Sequence, residues 1–191
     1  CQEVTPRPNF LILLGERYGW TPLPQKIDET EFNLLAAFFS EEEDLLINTW
    51  YRLDKNELIK NSNGILTPVY KLQPRSKDYQ NRDTWAPIEK KLRKILLKTA
   101  LDASLAEDDL LKYYASATHQ EIAKGALKAP DAIDQVHCFF RRITELPPNI
   151  KRNKFIDPRP ENQEAIRRLK QELKFQLSSN IHEYDVDFSI K

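Results

Sequence analysis

Residues 10–20 have the sequence Phe10-Leu11-Ile12-Leu13-Leu14-Gly15-Glu16-Arg17-Tyr18-Gly19-Trp20. The unbroken apolar run that ends at Gly15 predicts a strand buried on both faces of a sheet. Two glycines within this stretch and two prolines just after it predict a loop over residues 15–24. Residues 10–24 are therefore predicted to form a core strand followed by a polar and aromatic loop.

Apolar residues recur at helical spacing in several segments downstream of this strand. Helices are predicted from about residue 30, over 41–51, from about residue 84 to about residue 103, and over 107–114, 118–127 and 162–177. Further strands are predicted over 69–72, 136–141 and 181–188, and a polar, turn-rich segment over 54–64. Because strands alternate with helices, we expect an α/β fold with an open, mainly parallel sheet and crossover helices. We expect one domain over residues 1–191, with connecting segments at 1–8 and 187–191.

The composition excludes several classes of protein. The 191 residues include 29 Lys+Arg and 29 Asp+Glu, so the zero net charge argues against a protein that coats nucleic acid. The longest apolar runs are far shorter than a membrane-spanning helix requires. Four glycines are present, and none lies in a phosphate-binding loop or a dinucleotide-binding fingerprint.

Metal and cofactor chemistry also find no support in the sequence. The two cysteines, Cys1 and Cys138, are too few for a cysteine-based zinc site, and the three histidines lack metal-ligand spacing. We therefore expect no metal and no cofactor. The chain contains no methionine and starts at Cys1, so we expect a piece of a longer protein whose N-terminal part is missing.

The loop after the first strand is the first candidate site, because ligands of open α/β sheets bind beyond the carboxyl ends of the strands. Its candidate ligand-binding residues are Gly15, Glu16, Arg17, Tyr18 and Trp20. Arg17 suits an anionic group, and Tyr18 or Trp20 suits a ring. The alternative is a tight turn whose aromatic side chains cover the end of the sheet and whose charges pair with neighbours.

The second candidate site is the segment 116–121, which opens a predicted helix. Thr118 and Glu121 match a capping box, in which both side chains satisfy amides at the helix start. The alternative is that Glu121 projects into a cleft as an acid, base or nucleophile. A carboxylate there would stabilise a positively charged ribosyl transition state, with Ser116 beside the ligand.

Two groups of basic residues have competing interpretations. Arg141 and Arg142 follow an apolar strand and suit a phosphate group, or else form salt bridges on the surface. Lys90, Lys94 and Lys98 form a stripe at helical spacing. An exposed helix face explains this stripe, and contact with nucleic acid is the alternative.

Residues 10–20 resemble the strand-and-loop signature of a TIR-like domain family that precedes NACHT-type signalling ATPases. The family is found in NACHT-and-WD-repeat proteins, telomerase-associated protein and bacterial defence ATPases. Further matches follow in the family's order at residues 49–56, 68–74, 116–121 and 139–142. The resemblance spans about residues 9–142.

This resemblance implies a flavodoxin-like or TIR-like parallel sheet and a preceding segment with a first strand and a Ser-Ser-Thr-type loop. TIR domains and nucleoside deoxyribosyltransferases place a functional glutamate on the helix before a later core strand. Glu121 is the residue of this sequence that matches that position.

The resemblance implies two functions of different classes. The first is a cytoplasmic TIR-like signalling or effector module of a bacterial NACHT-type ATPase in antiviral defence, which hydrolyses the N-glycosidic bond of an NAD-like nucleotide through Glu121. The second is a non-catalytic domain that docks on its own ATPase or repeat domains or on copies of itself. Neither function calls for a membrane or a nucleic-acid partner.

Overall fold

The computed structural model describes residues 10–147 and 150–188. Its strands are β1 (Phe10–Leu14), β2 (Lys26–Asp28), β3 (Tyr51–Lys60), β4 (Leu66–Leu72), β5 (Val136–Glu145) and β6 (Ile181–Asp187). Its α-helices are α1 (Glu29–Ala36), α2 (Glu41–Trp50), α3 (Arg82–Asp102), α4 (Glu107–Tyr114), α5 (Ala117–Ile122), α6 (Ala132–Gln135) and α7 (Pro160–Gln176). The connecting segment predicted at 1–8 lies outside the described residues, as do residues 189–191 of the one predicted at 187–191.

The chain divides into two compact units. Unit 1 comprises residues 1–20 and 116–191, and unit 2 comprises residues 21–115, which are inserted in the chain between the two segments of unit 1. This division does not test whether the two units unfold together, so the expectation of one domain stays a prediction.

Unit 1 contains a parallel three-stranded sheet in the order β1–β5–β6. Leu14 lies opposite Phe140 in the first strand pair, and Cys138 lies opposite Ile181 in the second. Helix α7 connects β5 to β6, as a parallel pair requires. This sheet and its helices confirm the predicted α/β class and are consistent with a flavodoxin-like arrangement.

One face of the parallel sheet carries the core of unit 1. Its buried side chains come from β1, β5, α7 and the segment 122–132: Ile12, Leu14, Val136, Cys138, Phe140, Ile166, Leu169, Leu173, Ile122, Ala126 and Ala132. The opposite face is different, because Leu11 and Leu13 of β1 are 63% and 72% exposed. The prediction that β1 is buried on both faces is therefore wrong: an apolar run does not say whether its second face is covered.

The predicted helix over 118–127 forms in two parts. α5 ends at Ile122, and a π-helical turn follows at Ala123–Leu127. A Cβ built on Gly125 would come within 2.8 Å of Cζ of Phe10. The widened turn therefore packs directly against β1 where only a glycine fits.

Unit 2 is built on an antiparallel sheet in the order β2–β4–β3, which the sequence pattern does not predict. β3 runs through the segment predicted to be turn-rich, and the true turn is shorter. The side-chain carbonyl of Asn61 accepts hydrogen bonds from the amides of Asn63 and Ile65, each 3.0 Å long. Gly64 closes the turn at a φ of 75°, a conformation that favours glycine.

Helices α1 to α4 complete unit 2 around an aromatic core. The rings of Trp50 and Trp85 lie 4.7 Å apart, and those of Phe32 and Tyr70 stack at 3.5 Å. Every strand and helix of this core lies within residues 21–115. Unit 2 therefore has a hydrophobic core of its own.

No helix among the described residues combines the length and the apolar character that crossing a membrane requires.

Candidate functional site

A cavity of about 400 Å³ lies in unit 1 at the carboxyl end of β1. It is lined by Glu16, Phe140, Arg141, Arg142, Lys170, Glu183, Tyr184 and Asp185. β1 ends at Leu14, whereas β5 and β6 continue side by side to Glu145 and Asp187. The shorter strand leaves room beside its longer neighbours, at the position where open parallel sheets bind ligands.

Two strands, one helix and the loop after β1 supply the lining. Glu16 follows β1, Arg141 lies on β5, Tyr184 lies on β6, and α7 contributes Lys170. Of the predicted ligand-binding residues, the structure brings Glu16 and Arg141 into this cavity and places Gly15 against Arg141. These three residues come from both segments of unit 1, so the cavity forms only when β1 pairs with β5.

Arg142 is engaged by an acidic neighbour at the edge of the cavity. Its Nε and Nη2 each donate a hydrogen bond of 2.8 Å to the carboxylate of Asp185. These bonds raise the pKa of Arg142 and lower the pKa of Asp185. For Arg142, the salt-bridge interpretation of the sequence is therefore the correct one.

Arg141 makes no such pair with any residue that the structure describes. Its guanidinium lies over Gly15, where a built Cβ would come within 3.0 Å of Nη2. Its Nε is closed off from solvent and has no hydrogen-bond partner among the described residues. A buried guanidinium donor without an acceptor is energetically unfavourable and is typical of a site that an anion completes.

Lys170 is the functional candidate that sequence reasoning missed. Its ammonium lies 5.5 Å from the centre of the Phe140 ring, and its burial lowers the pKa of the lysine. The helical spacing of the sequence could have identified it, because Lys170 follows the buried Ile166 by four positions and precedes the buried Leu173 by three. A lysine on the apolar face of an amphipathic helix is directed towards the protein interior.

Glu16 and Arg17 are both held by backbone groups. Oε1 of Glu16 accepts a hydrogen bond of 3.1 Å from the amide of Ile143. Nη1 of Arg17 donates to the carbonyl oxygen of Lys154 over 3.2 Å, and Arg17 does not line the cavity. Arg17 therefore matches the alternative interpretation, in which a loop charge is paired with a neighbour.

The two aromatic residues of this loop differ in exposure. Tyr18 is only 5% exposed and its hydroxyl lies 2.8 Å from Nδ1 of His119, whereas Trp20 is 60% exposed. Of the two, Trp20 is therefore accessible to a ligand or partner, whereas Tyr18 is buried. Tyr18 is part of the core because the loop folds back against α5.

The start of α5 is capped differently from the prediction. Ser116 is the N-cap, its Oγ accepts a hydrogen bond of 3.3 Å from the amide of His119, and Ser116 is 1% exposed. Since Thr118 then lies inside the first turn, the predicted capping box of Thr118 and Glu121 is wrong. Glu121 is exposed on α5 and lies outside the cavity.

Other candidate sites in the structure are less suited to a ligand. A shallow hollow of about 750 Å³ follows β3 and β4 in unit 2, where Lys71 is paired with Asp54 at 2.7 Å and with Glu57 at 2.5 Å. Burial raises the pKa of the Cys138 thiol to about 11, so this cysteine is not a nucleophile at neutral pH. Within residues 10–147 and 150–188, no three His, Cys, Asp or Glu side chains cluster as metal ligands do.

Comparison with known proteins links the chain to one group. It is 27% identical over 212 aligned positions to human NACHT and WD repeat domain-containing protein 2, covering 96% of this chain and 12% of the relative. It is 28% identical over 152 positions to mouse NACHT domain- and WD repeat-containing protein 1, covering 76% of this chain and 9% of the relative. The chain is related to NACHT-associated proteins.

The similarity covers only a small part of each relative. The chain spans about a tenth of the length of the curated relatives it matches. No protein-family profile matches it, and neither does a solved structure. The TIR-like part of the resemblance thus stays a prediction, and these relatives are human and mouse proteins that give no support to a bacterial defence origin.

Proposed function

We propose that this chain is a signalling segment of a larger NACHT-type protein and that it acts by docking on another domain of that protein. The observation that carries the proposal is the face of the parallel sheet in unit 1 that residues 10–147 and 150–188 leave uncovered at Leu11 and Leu13. Parallel sheets are found almost only where both faces are covered. A parallel sheet with one apolar face in contact with solvent is therefore typical of a surface that a partner covers.

The proposed docking face consists of the side chains that point away from the core of unit 1. Leu11 and Leu13 lie on it, and the strand register places Phe139 beside Leu13 and His182 beside Phe139. The rings of Phe139 and His182 stack at 4.7 Å. This row of apolar and aromatic groups across all three strands gives a flat surface suited to a protein partner.

The edge of the sheet supports the same proposal. Among the described residues, β1 pairs only with β5, so the backbone amides and carbonyls on its other side face no strand. An exposed edge strand is a template for another strand. The free edge and the apolar face meet at Leu11 and Leu13, so one partner element can engage both.

The partner we propose is another domain of the same protein. The relatives carry NACHT domains and WD repeats by name, and the region similar to this chain is 9–12% of their length. The other domains of such a protein are covalently linked to this segment. Even a surface of low affinity therefore meets its partner at a high effective concentration. A second copy of the chain is the alternative occupant that the experiment distinguishes.

The test uses substitutions on the docking face with a control of equal exposure. Leu13→Asp places a charge at the centre of the face, and Leu45→Asp makes the same change at a position that is also 72% exposed, in unit 2. We expect Leu13→Asp to weaken binding of the chain to the remainder of the parent protein at least tenfold. Leu45→Asp is expected to leave the affinity within twofold.

Two results would contradict the proposal. Equal loss of affinity in both variants would show that the face is not specific. Self-association of the chain that Leu13→Asp abolishes, without binding to the remainder of the protein, would assign the face to a second copy.

Hydrolysis of a nucleotide N-glycosidic bond ranks second. That function requires Glu121 at a pocket, and Glu121 instead lies exposed on α5, outside the cavity at the end of β1. No observation favours it over docking, and it stays a prediction with its own assay below.

A further inference from the structure

Two of the three cations that line the cavity of unit 1 have no anionic partner. The guanidinium of Arg142 is paired with Asp185, whereas Arg141 and Lys170 form no ion pair among the described residues. The Nε of Arg141 also has no acceptor. The positive charge of these two side chains is therefore available to a ligand.

The acidic groups of the cavity are occupied. Asp185 accepts two hydrogen bonds from Arg142, and Glu183 forms a salt bridge of 2.5 Å with Lys174. The carboxylate of Glu16 accepts from the amide of Ile143. Among the described residues none of these carboxylates forms an ion pair with Arg141 or Lys170, although Glu16 and Glu183 are close enough to attract Lys170.

The position of Arg141 depends on a glycine. Its guanidinium lies next to Gly15, where a Cβ would come within 3.0 Å of Nη2 and 3.7 Å of Cζ, so a larger residue there would shift the guanidinium. Gly15 thus leaves room for the guanidinium at a position where its Nε has no acceptor among the described residues. A preorganised fork of donors is suited to the oxygens of a phosphate or carboxylate.

Lys170 approaches the same space from the helix side. Its burial lowers the pKa, attraction from Glu16 and Glu183 acts in the opposite direction, and repulsion from Lys174 and Arg141 lowers the pKa further. The ammonium of Lys170 lies over the face of the Phe140 ring. A bound anion would stabilise the charged form of this lysine.

We propose that this cavity binds a small organic phosphate, with the phosphate group held between Arg141 and Lys170. Its size is at the lower end of small-molecule sites, which suits a monoester rather than a larger ligand. The three carboxylates around it would repel a polyphosphate, so a ligand with one phosphate group fits best. Tyr184, which is 47% exposed, lies where the organic part of the ligand would make contact.

The experiment is a titration of the whole chain with inorganic phosphate and with phenyl phosphate at constant ionic strength, followed by calorimetry and by amide NMR shifts. We expect saturable binding, tighter for phenyl phosphate, with shifted amides at residues 15, 141 and 170. Lys170→Met is expected to weaken binding at least tenfold. The matched control Lys90→Met removes an exposed lysine of unit 2 and should change the affinity by less than twofold.

Arg141→Lys keeps the charge and removes the fork, so it tests geometry in a variant that is expected to fold. We expect a loss of at least fivefold in Arg141→Lys, and a smaller loss in Gly15→Ala, whose Cβ would meet Nη2 of Arg141 at 3.0 Å. Absence of saturable binding to both probes, equal effects of Lys170→Met and Lys90→Met, or acetate binding as tightly as phosphate would overturn the proposal.

Discussion

The hydroxyl of Tyr18 lies 2.8 Å from Nδ1 of His119, and this hydrogen bond joins the loop after β1 to helix α5. Beside it, the amide of Ala117 donates to the carbonyl oxygen of Trp20 over 3.0 Å. Both bonds connect the two segments of unit 1 at the point where unit 2 is inserted. They hold together a sheet whose strands are far apart in sequence.

This contact predicts a stability that falls with acid. Burial lowers the pKa of His119 below its ordinary value of about 6.5, so the unfolded chain binds more protons than the folded one as the pH falls through that value. The free energy of unfolding should therefore decrease between pH 7.5 and 5.5. His119→Gln should show a smaller decrease, with His182→Gln as the control for loss of an imidazole.

Tyr18→Phe tests the hydrogen bond itself. Loss of one buried hydroxyl contact is expected to lower the free energy of unfolding by about 1 kcal/mol, measured by urea denaturation at pH 7.5. An unchanged midpoint in Tyr18→Phe, or an unchanged pH slope in His119→Gln, would show that this contact does not tie the two segments together.

A glutamate variant tests the catalytic prediction. Glu121 is exposed and lies outside the cavity, so we expect the full-length protein to turn over NAD no faster than its Glu121→Gln variant. Release of nicotinamide measures this directly, with Glu172→Gln on α7 as a control for loss of a carboxylate. Turnover that is lost in Glu121→Gln and retained in Glu172→Gln would restore the hydrolase function to first place.

The sequence predicted two strands of the parallel sheet well because they contain strongly apolar runs. Phe10–Leu14 and the start of β5 are recognisable as core strands on their own. By contrast, β3 has few apolar residues and is held by pairing with β4, which is information that its own residues do not contain.

The site could be predicted only in part. The rule that ligands bind beyond the carboxyl ends of strands selected Glu16, and the position of Arg141 at the end of an apolar strand selected that residue; both line the cavity. The contact between Gly15 and Arg141 depends on the register of two strands separated by unit 2, and no local pattern fixes that register. The exposed position of Leu13 likewise depends on which face the helices cover.

Denaturation experiments test the predicted single domain. The segments of unit 1 are joined through unit 2, so an unfolded unit 2 would leave a long loop to close before β1 and β5 can pair. We therefore expect the two units to unfold together. Leu169→Ala, a core truncation in unit 1, should cost about 3 kcal/mol.

Tryptophan fluorescence provides the readout for unit 2. In a Trp20→Phe background the remaining tryptophans, Trp50 and Trp85, both lie in unit 2, whereas far-ultraviolet circular dichroism reports on both units. Leu169→Ala should shift the midpoints of both signals equally. If the fluorescence midpoint does not move while circular dichroism shows two separate unfolding transitions, the units are separate domains.

Hydrogen exchange at β1 is the most direct measurement of docking through the uncovered sheet. Amides of Leu11 to Leu13 should exchange at least tenfold more slowly in the full-length parent protein than in this chain alone, while the hairpin turn at Asn63 exchanges alike in both. Protection should be lost in the Leu13→Asp parent. Equal exchange at β1 in the chain and in the full-length protein would contradict the account.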